Sequence, residues 1–139
     1  MKLDDRIKKA STLPAFPELL GIELLEITAE RVVGQMLVTD KLANRNGVLH
    51  GGALISLADT LGGTGAVMNL PPGKTTTTIE SKTNFLRAIP LGQTATGTAV
   101  CLHPGRTTSL WQTTISRPDG KAAAIVLQTQ LVIDWRAEG

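Results

Sequence analysis

Cysteine, histidine and aromatic residues are all scarce in this 139-residue sequence. A single cysteine, Cys101, rules out an intrachain disulfide, and its place between Val100 and Leu102 reads as a buried strand thiol. That usage is compatible with a reducing compartment. Two histidines, His50 and His103, with one cysteine make no recognisable zinc cluster; His103, just before Pro104, reads as a surface or turn residue. Aromatics are only 3%, so the core has to be built from Leu, Ile, Val and Ala, and a base-stacking platform for single-stranded nucleic acid is disfavoured. The formal net charge of +2 is too small to imply a nucleic-acid partner by itself, although a few well-placed cations could hold a small anionic ligand. No apolar run is long enough to span a bilayer. Met1 to Ala10 is charged and lacks the apolar stretch of a signal peptide, so the expectation is a soluble, cytoplasmic chain with no membrane partner. Neither GxxxxGK[ST] nor GxGxxG nor G-x-S-x-G occurs, which removes phosphate-loop, dinucleotide-fold and nucleophile-elbow readings.

What is present suits one globular domain over residues 1–139, with 42% hydrophobic and 19% charged residues. Residues 1–20 read as a helical extension. Asp4 to Ala10 can form a short amphipathic helix with Leu3, Ile7 and Ala10 on one side, and Pro17 to Leu20 one further turn before Gly21. Ile22–Thr28 and Arg31–Thr39 read as a hairpin across Ala29-Glu30, and Lys41–Leu49 as a loop rich in turn residues. His50 to Met68 reads as one long helix, ended by Leu70-Pro71-Pro72-Gly73. Strands are then expected over Thr75–Ile89, Gln93–His103, Arg106–Ser116 and Ala122–Trp135, separated by Pro/Gly turns. A run of hairpins makes an antiparallel sheet that the helix covers on one face, an α+β architecture.

The helix carries the chemistry. It is apolar over most of its circumference, which predicts burial, yet Asp59 sits in its middle. Ser56, Asp59, Thr60 and Gly63 form one narrow, less apolar stripe. Asp59 could face water from that stripe, or it could be a carboxylate beside a low-dielectric pocket, able to act as nucleophile or general base. Gly51 and Gly52 open the helix, where free amide N–H groups carry partial positive charge. They could be a plain helix entry, or they could let a ligand approach the backbone and polarise a carbonyl oxygen. His50 and Asp59 are nine residues apart, about two and a half turns and about 13 Å of rise. One helix cannot easily bring both ends to one bond, whereas two antiparallel copies across a two-fold axis could. Arg87, Arg106, Arg45 and Lys74 are each either solvated surface charges or phosphate handles.

The stretch Asn44 … Gly47-Val48-Leu49-His50-Gly51-Gly52-Ala53 … Leu57-Ala58-Asp59 resembles the hotdog-fold acyl-CoA thioesterases, in particular the group of PaaI-type and Arthrobacter-type 4-hydroxybenzoyl-CoA thioesterases. Asn84-Phe85-Leu86-Arg87 and Gly105-Arg106 … Leu110-Trp111 share the likeness, which runs from about Gly21 to Ile133. The resemblance implies a long helix wrapped by a curved antiparallel sheet, subunits paired into dimers and usually into a homotetramer, and hydrolysis of an acyl-CoA (aryl or medium-chain) to free acid and CoA without metal or redox cofactor. It implies that Asp59 is the catalytic acid, that the Gly51 N–H polarises the thioester carbonyl, and that Asn44 and His50 lie near the water and the thioester. Asp59 would serve one site with the other three residues from the partner subunit. Thr78 matches a Ser/Thr that assists catalysis in some members, although the Thr75–Thr78 run blurs the register. Gly52, Arg87 and Arg106 stand as substrate contacts, the arginines for CoA phosphates. Gly63 falls where relatives often carry Ser or Thr, and Thr60 or Thr64 could replace the missing hydroxyl. A hotdog hydratase would need a different His/acid arrangement, and a non-catalytic acyl-CoA-binding module is the alternative from another class.

Overall fold

The computed structural model describes residues 2–136; Met1 and positions 137–139 of the expected domain lie outside the described residues. Two short helices, α1 (Leu3–Ser11) and α2 (Ala15–Leu19), precede the hairpin β1 (Glu23–Ile27) and β2 (Arg31–Leu37). The long helix α3 spans Gly51–Met68, and β3 (Lys74–Phe85), β4 (Thr94–Pro104), β5 (Thr108–Ser116) and β6 (Ala122–Asp134) follow. The six strands form one sheet in the order β1-β2-β4-β5-β6-β3, every neighbour antiparallel. Helix α3 lies across one face and touches all six strands, so the α+β arrangement read from the sequence is the one found.

Alternation along the strands decides the core. Val32 and Met36 of β2, Ala95 and Ala99 of β4, Trp111 and Ile115 of β5, and Ala124 and Val126 of β6 point to the helix and are buried. They meet Leu54, Leu57, Ala58 and Leu61 of α3. Burying each of those leucines is worth roughly 1.5–3 kcal/mol. The helix sits close because the sheet is glycine-lined beneath it: a Cβ on Gly97 would overlap the Leu61 side chain.

Several boundaries differ from the sequence reading for local reasons. His50 is not in the helix but caps it, with extended backbone (φ −63°, ψ 135°). The third strand ends at Phe85 rather than Ile89, because the Leu86 and Arg87 amides both donate to the Ala123 carbonyl (2.7 and 3.0 Å) and turn the chain away. The loop before α3 holds a short 3₁₀ turn, Asp40–Leu42. The second short helix starts after Pro14 rather than at Pro17. Cys101 is half-buried, not fully enclosed. Helix α3 is not covered all round: its buried residues include Leu54, Leu57, Ala58 and Leu61, while Gly52 and Asp59 stay exposed, Asp59 at the margin of the sheet beside β3 and β6. Helices α1 and α2 pack against part of that side.

Candidate active site

The first half of the site is the entry to α3. The Nδ1 of His50 accepts the Gly52 N–H at 2.8 Å, so one of the free helix-start donors is used by the cap. That leaves the His50 ring proton on Nε2. The Gly51 N–H has no acceptor among the described residues. Gly51 lines a cavity of about 360 Å³ with Asn44, Leu49, Leu54, Phe85, Arg87 and Ile89. A side chain on Gly51 would crowd the Phe85 ring, at 3.2 Å from an ideal Cβ. Asn44 folds its own loop: its Oδ1 accepts the Asn46 and Val48 amides (2.9 and 3.4 Å), which leaves its Nδ2 as the group available to a ligand. Arg87 lines the same cavity and donates through Nη1 to the Ala122 carbonyl at 2.8 Å.

The second half surrounds Asp59. Its Oδ1 accepts the Thr78 hydroxyl at 2.7 Å and the Gln128 Nε2 at 3.0 Å. Gln130 in turn donates through Nε2 to the Thr78 oxygen at 2.6 Å. Thr78 reaches the helix because of a bulge in β3: Thr78 pairs with Gln130, and Glu80 already pairs with Thr129. Such a bulge switches the inward parity of the strand. Thr76 and Thr78 therefore face α3 before it, and Phe85 faces α3 after it, where it reaches Gly51. Asp59 opens onto a cavity of about 500 Å³ that includes Thr60, Gly63, Thr64, Val67 and Thr76 to Thr78. Its far wall is the N-terminal segment, with Lys9, Ala10, Thr12, Leu13, Pro14 and Pro17. The Thr60 and Thr64 hydroxyls donate to the Ser56 and Thr60 carbonyls, both at 2.7 Å, so their protons are committed within the helix.

The two cavities share no lining residue. Gly51 and Asp59 are separated by about 12 Å of helix rise, and the fold brings Asn44, His50, Gly51 and Arg87 together at one end and Asp59 and Thr78 at the other. Arg106 joins neither. It lies beyond β4, beside a pocket of about 160 Å³ formed with Cys101, Gly105 and Ser109. Burial raises the Cys101 thiol above its ordinary value, which disfavours the reactive thiolate. Among the described residues there is no cluster of acids, histidines or cysteines suited to a metal, and no helix long and apolar enough to cross a membrane.

Residues 46–124 match the profile of the thioesterase superfamily. The chain belongs to that superfamily. Over 108 residues this thioesterase is 31% identical to the 1,4-dihydroxy-2-naphthoyl-CoA hydrolase of Listeria monocytogenes, covering 78% of this chain and 87% of the relative. It is similar in structure to the PaaI protein of the E. coli phenylacetic acid degradation operon (26% identity, TM-score 0.85, 94% and 93% of the two chains). A hypothetical thioesterase protein from Streptococcus pneumoniae, solved with coenzyme A, matches at 28% identity and TM-score 0.75, over 84% of this chain and 91% of its own. The sheet-and-helix arrangement is thus the hotdog fold, and the reaction class is thioester hydrolysis.

Sequence reasoning missed Gln128 and Gln130. Both are fully buried, 1% exposed each. The signal was there: they share the inward parity of β6 with Ala124 and Val126, where amides have no place unless they have a partner.

Proposed function

We propose that the thioesterase hydrolyses acyl-CoA thioesters, with an aryl or medium-chain aliphatic acyl group, to the free acid and CoA. Residues 1–139 would act as one hotdog domain in a homodimer, assembled further into a tetramer, in the cytoplasm. The observation that carries the reading is the division of α3: an unpartnered N–H at its start in one cavity, and a hydrogen-bonded carboxylate in its middle in another. The Gly51 amide would stabilise the oxyanion that forms on the thioester carbonyl. Asp59 of the partner subunit would supply the attack, directly or through a water. Asn44 Nδ2 and His50 would orient water and thioester, Gly52 would give the close approach of the backbone, and Thr78 would hold Asp59. Arg87 and Arg106 would meet the phosphates of CoA. This chemistry calls on no metal or redox cofactor, CoA being part of the substrate.

Two features support the dimer. Strand β3 is a 12-residue edge strand, and open edges of that length are normally paired or protected. Ile79 and Phe85 on it, and Leu86 just after it, are exposed large hydrophobics. Pairing β3 with its copy would cover them and bring the two α3 helices into the antiparallel relation that a shared site requires. For the acyl group, the support is the mixed character of the Asp59 cavity, with Leu13, Pro14, Pro17 and Val67 beside six threonines, together with the naphthoyl-CoA activity named for the Listeria relative. The test is a thiol-trapping assay over aryl- and aliphatic-CoA thioesters. Release of CoA thiol by the wild type, lost by about 10³-fold or more in Asp59→Asn with unchanged melting temperature, is the expected result. Acyl-CoA binding without thiol release, or a fully active Asp59→Asn variant, would contradict it.

A further inference from the structure

The carboxylate of Asp59 is held from behind by a chain of buried amides that the reaction chemistry itself does not require. Thr76 donates its hydroxyl to Gln130 Oε1 at 3.0 Å, Gln130 Nε2 donates to Thr78 Oγ1, and Thr78 donates to Asp59 Oδ1. Gln130 and Thr78 both donate toward the carboxylate, the Thr76 hydroxyl also lies 3.2 Å from the Leu131 carbonyl, and Gln128 Nε2 arrives at the same Asp59 oxygen from β6. Among the described residues no hydrogen bond reaches Asp59 Oδ2. The carboxylate is therefore pinned by one oxygen, with the other unengaged.

Gln128 has no other explanation in the fold. Its Oε1 is buried and unpaired among the described residues, and an ideal Cβ on Gly62 would collide with that oxygen. A buried amide that satisfies only one end is unfavourable for folding, and a methionine would fill the same space without a polar atom. The helix thus gives up a side chain at Gly62 to admit a side-chain amide whose only hydrogen bond among the described residues is to Asp59.

We infer that Gln128 and Gln130 are positioning residues, which fix Asp59 through Oδ1 and present Oδ2 to the substrate. Gln128 acts directly on the carboxylate and Gln130 at one remove, through Thr78. The inference rests on the reading of Asp59 as the attacking group. Kinetics of Gln128→Met and Gln130→Met, each with its melting temperature, test it. The expected result for Gln128→Met is a fall in kcat of about 10- to 100-fold, with KM within about two-fold and no loss of melting temperature. Gln130→Met should fall less, because Thr78 can still donate to Asp59. Should Gln128→Met fail to fold, Gln128→Leu removes the donor with a smaller apolar side chain, and the same loss of kcat is expected. Wild-type kcat in the folded Gln128 variant, or losses that follow melting temperature rather than distance from Asp59, would overturn the inference. Inactivity of Asp59→Asn alongside full activity of Gln128→Met would sink this inference alone; full activity of Asp59→Asn would sink the reading beneath it.

Discussion

Gly65 and Gly63 are two residues apart on α3 and answer to opposite constraints. An ideal Cβ on Gly65 would overlap the six-membered ring of Trp111, which is fully buried and donates its Nε1 proton to Ser109 Oγ at 3.1 Å. The ring has no room to yield. Gly65→Ala is therefore expected to destabilise the fold by roughly 1–3 kcal/mol, as overpacking does, read as a lower urea midpoint at unchanged m-value. Gly63 faces the Asp59 cavity, and an added Cβ meets nothing within 4 Å. Gly63→Ser should leave the urea midpoint nearly unchanged while altering the ranking of acyl-CoA substrates by kcat/KM. An unchanged ranking would mean that this part of the cavity does not touch the acyl group.

At the scale of elements, α3 and the hairpins were legible because their signals are local. The Pro90-Leu91-Gly92 and Pro118-Asp119-Gly120 turns hold their glycines at φ +87° and +83°, conformations that those sequences announce. The β3 bulge was not legible, because four consecutive threonines give no alternation from which to read a register. Thr78 could be placed at the site only by resemblance, whereas the inward glutamines of β6 are signalled by that strand's own alternation with Val126. The β5–β6 turn adds a pH-dependent element. The Arg117 guanidinium, with help from the Lys121 amide, lowers the Asp119 carboxyl to about 2, and Arg117 Nη1 also donates to the Ala88 carbonyl at 3.3 Å, tying the turn to the segment after β3. A carboxyl depressed in the folded state stabilises it above the ordinary carboxylate range, about 4, and loses that contribution as pH falls through about 2. Asp119→Asn should thus melt below the wild type at pH 6, with the gap shrinking as pH falls below 4. A gap independent of pH would show that the charge of Asp119 is not what holds the turn.

At the scale of the whole molecule, the central claim is that each α3 gives its two ends to two different sites. Two variants disable the ends separately. On this account Asp59→Asn removes the attack. Gly51→Pro removes the N–H assigned to polarise the thioester, and the backbone tolerates it: Gly51 is the first helical residue, where proline is favoured, His50 before it is already extended, and the exposed Phe85 ring, 3.2 Å from the added Cβ, has to yield by only a few tenths of an ångström. Each variant alone should be inactive. The two co-refolded in equal amounts give half mixed dimers, and a mixed dimer with shared sites has one intact site, built from Gly51 of one chain and Asp59 of the other. The predicted result is recovery of about a quarter of wild-type thioesterase activity. If both ends of a helix served the same site, no mixed dimer would contain an intact one, and activity that stays at the level of the separate variants would contradict the account.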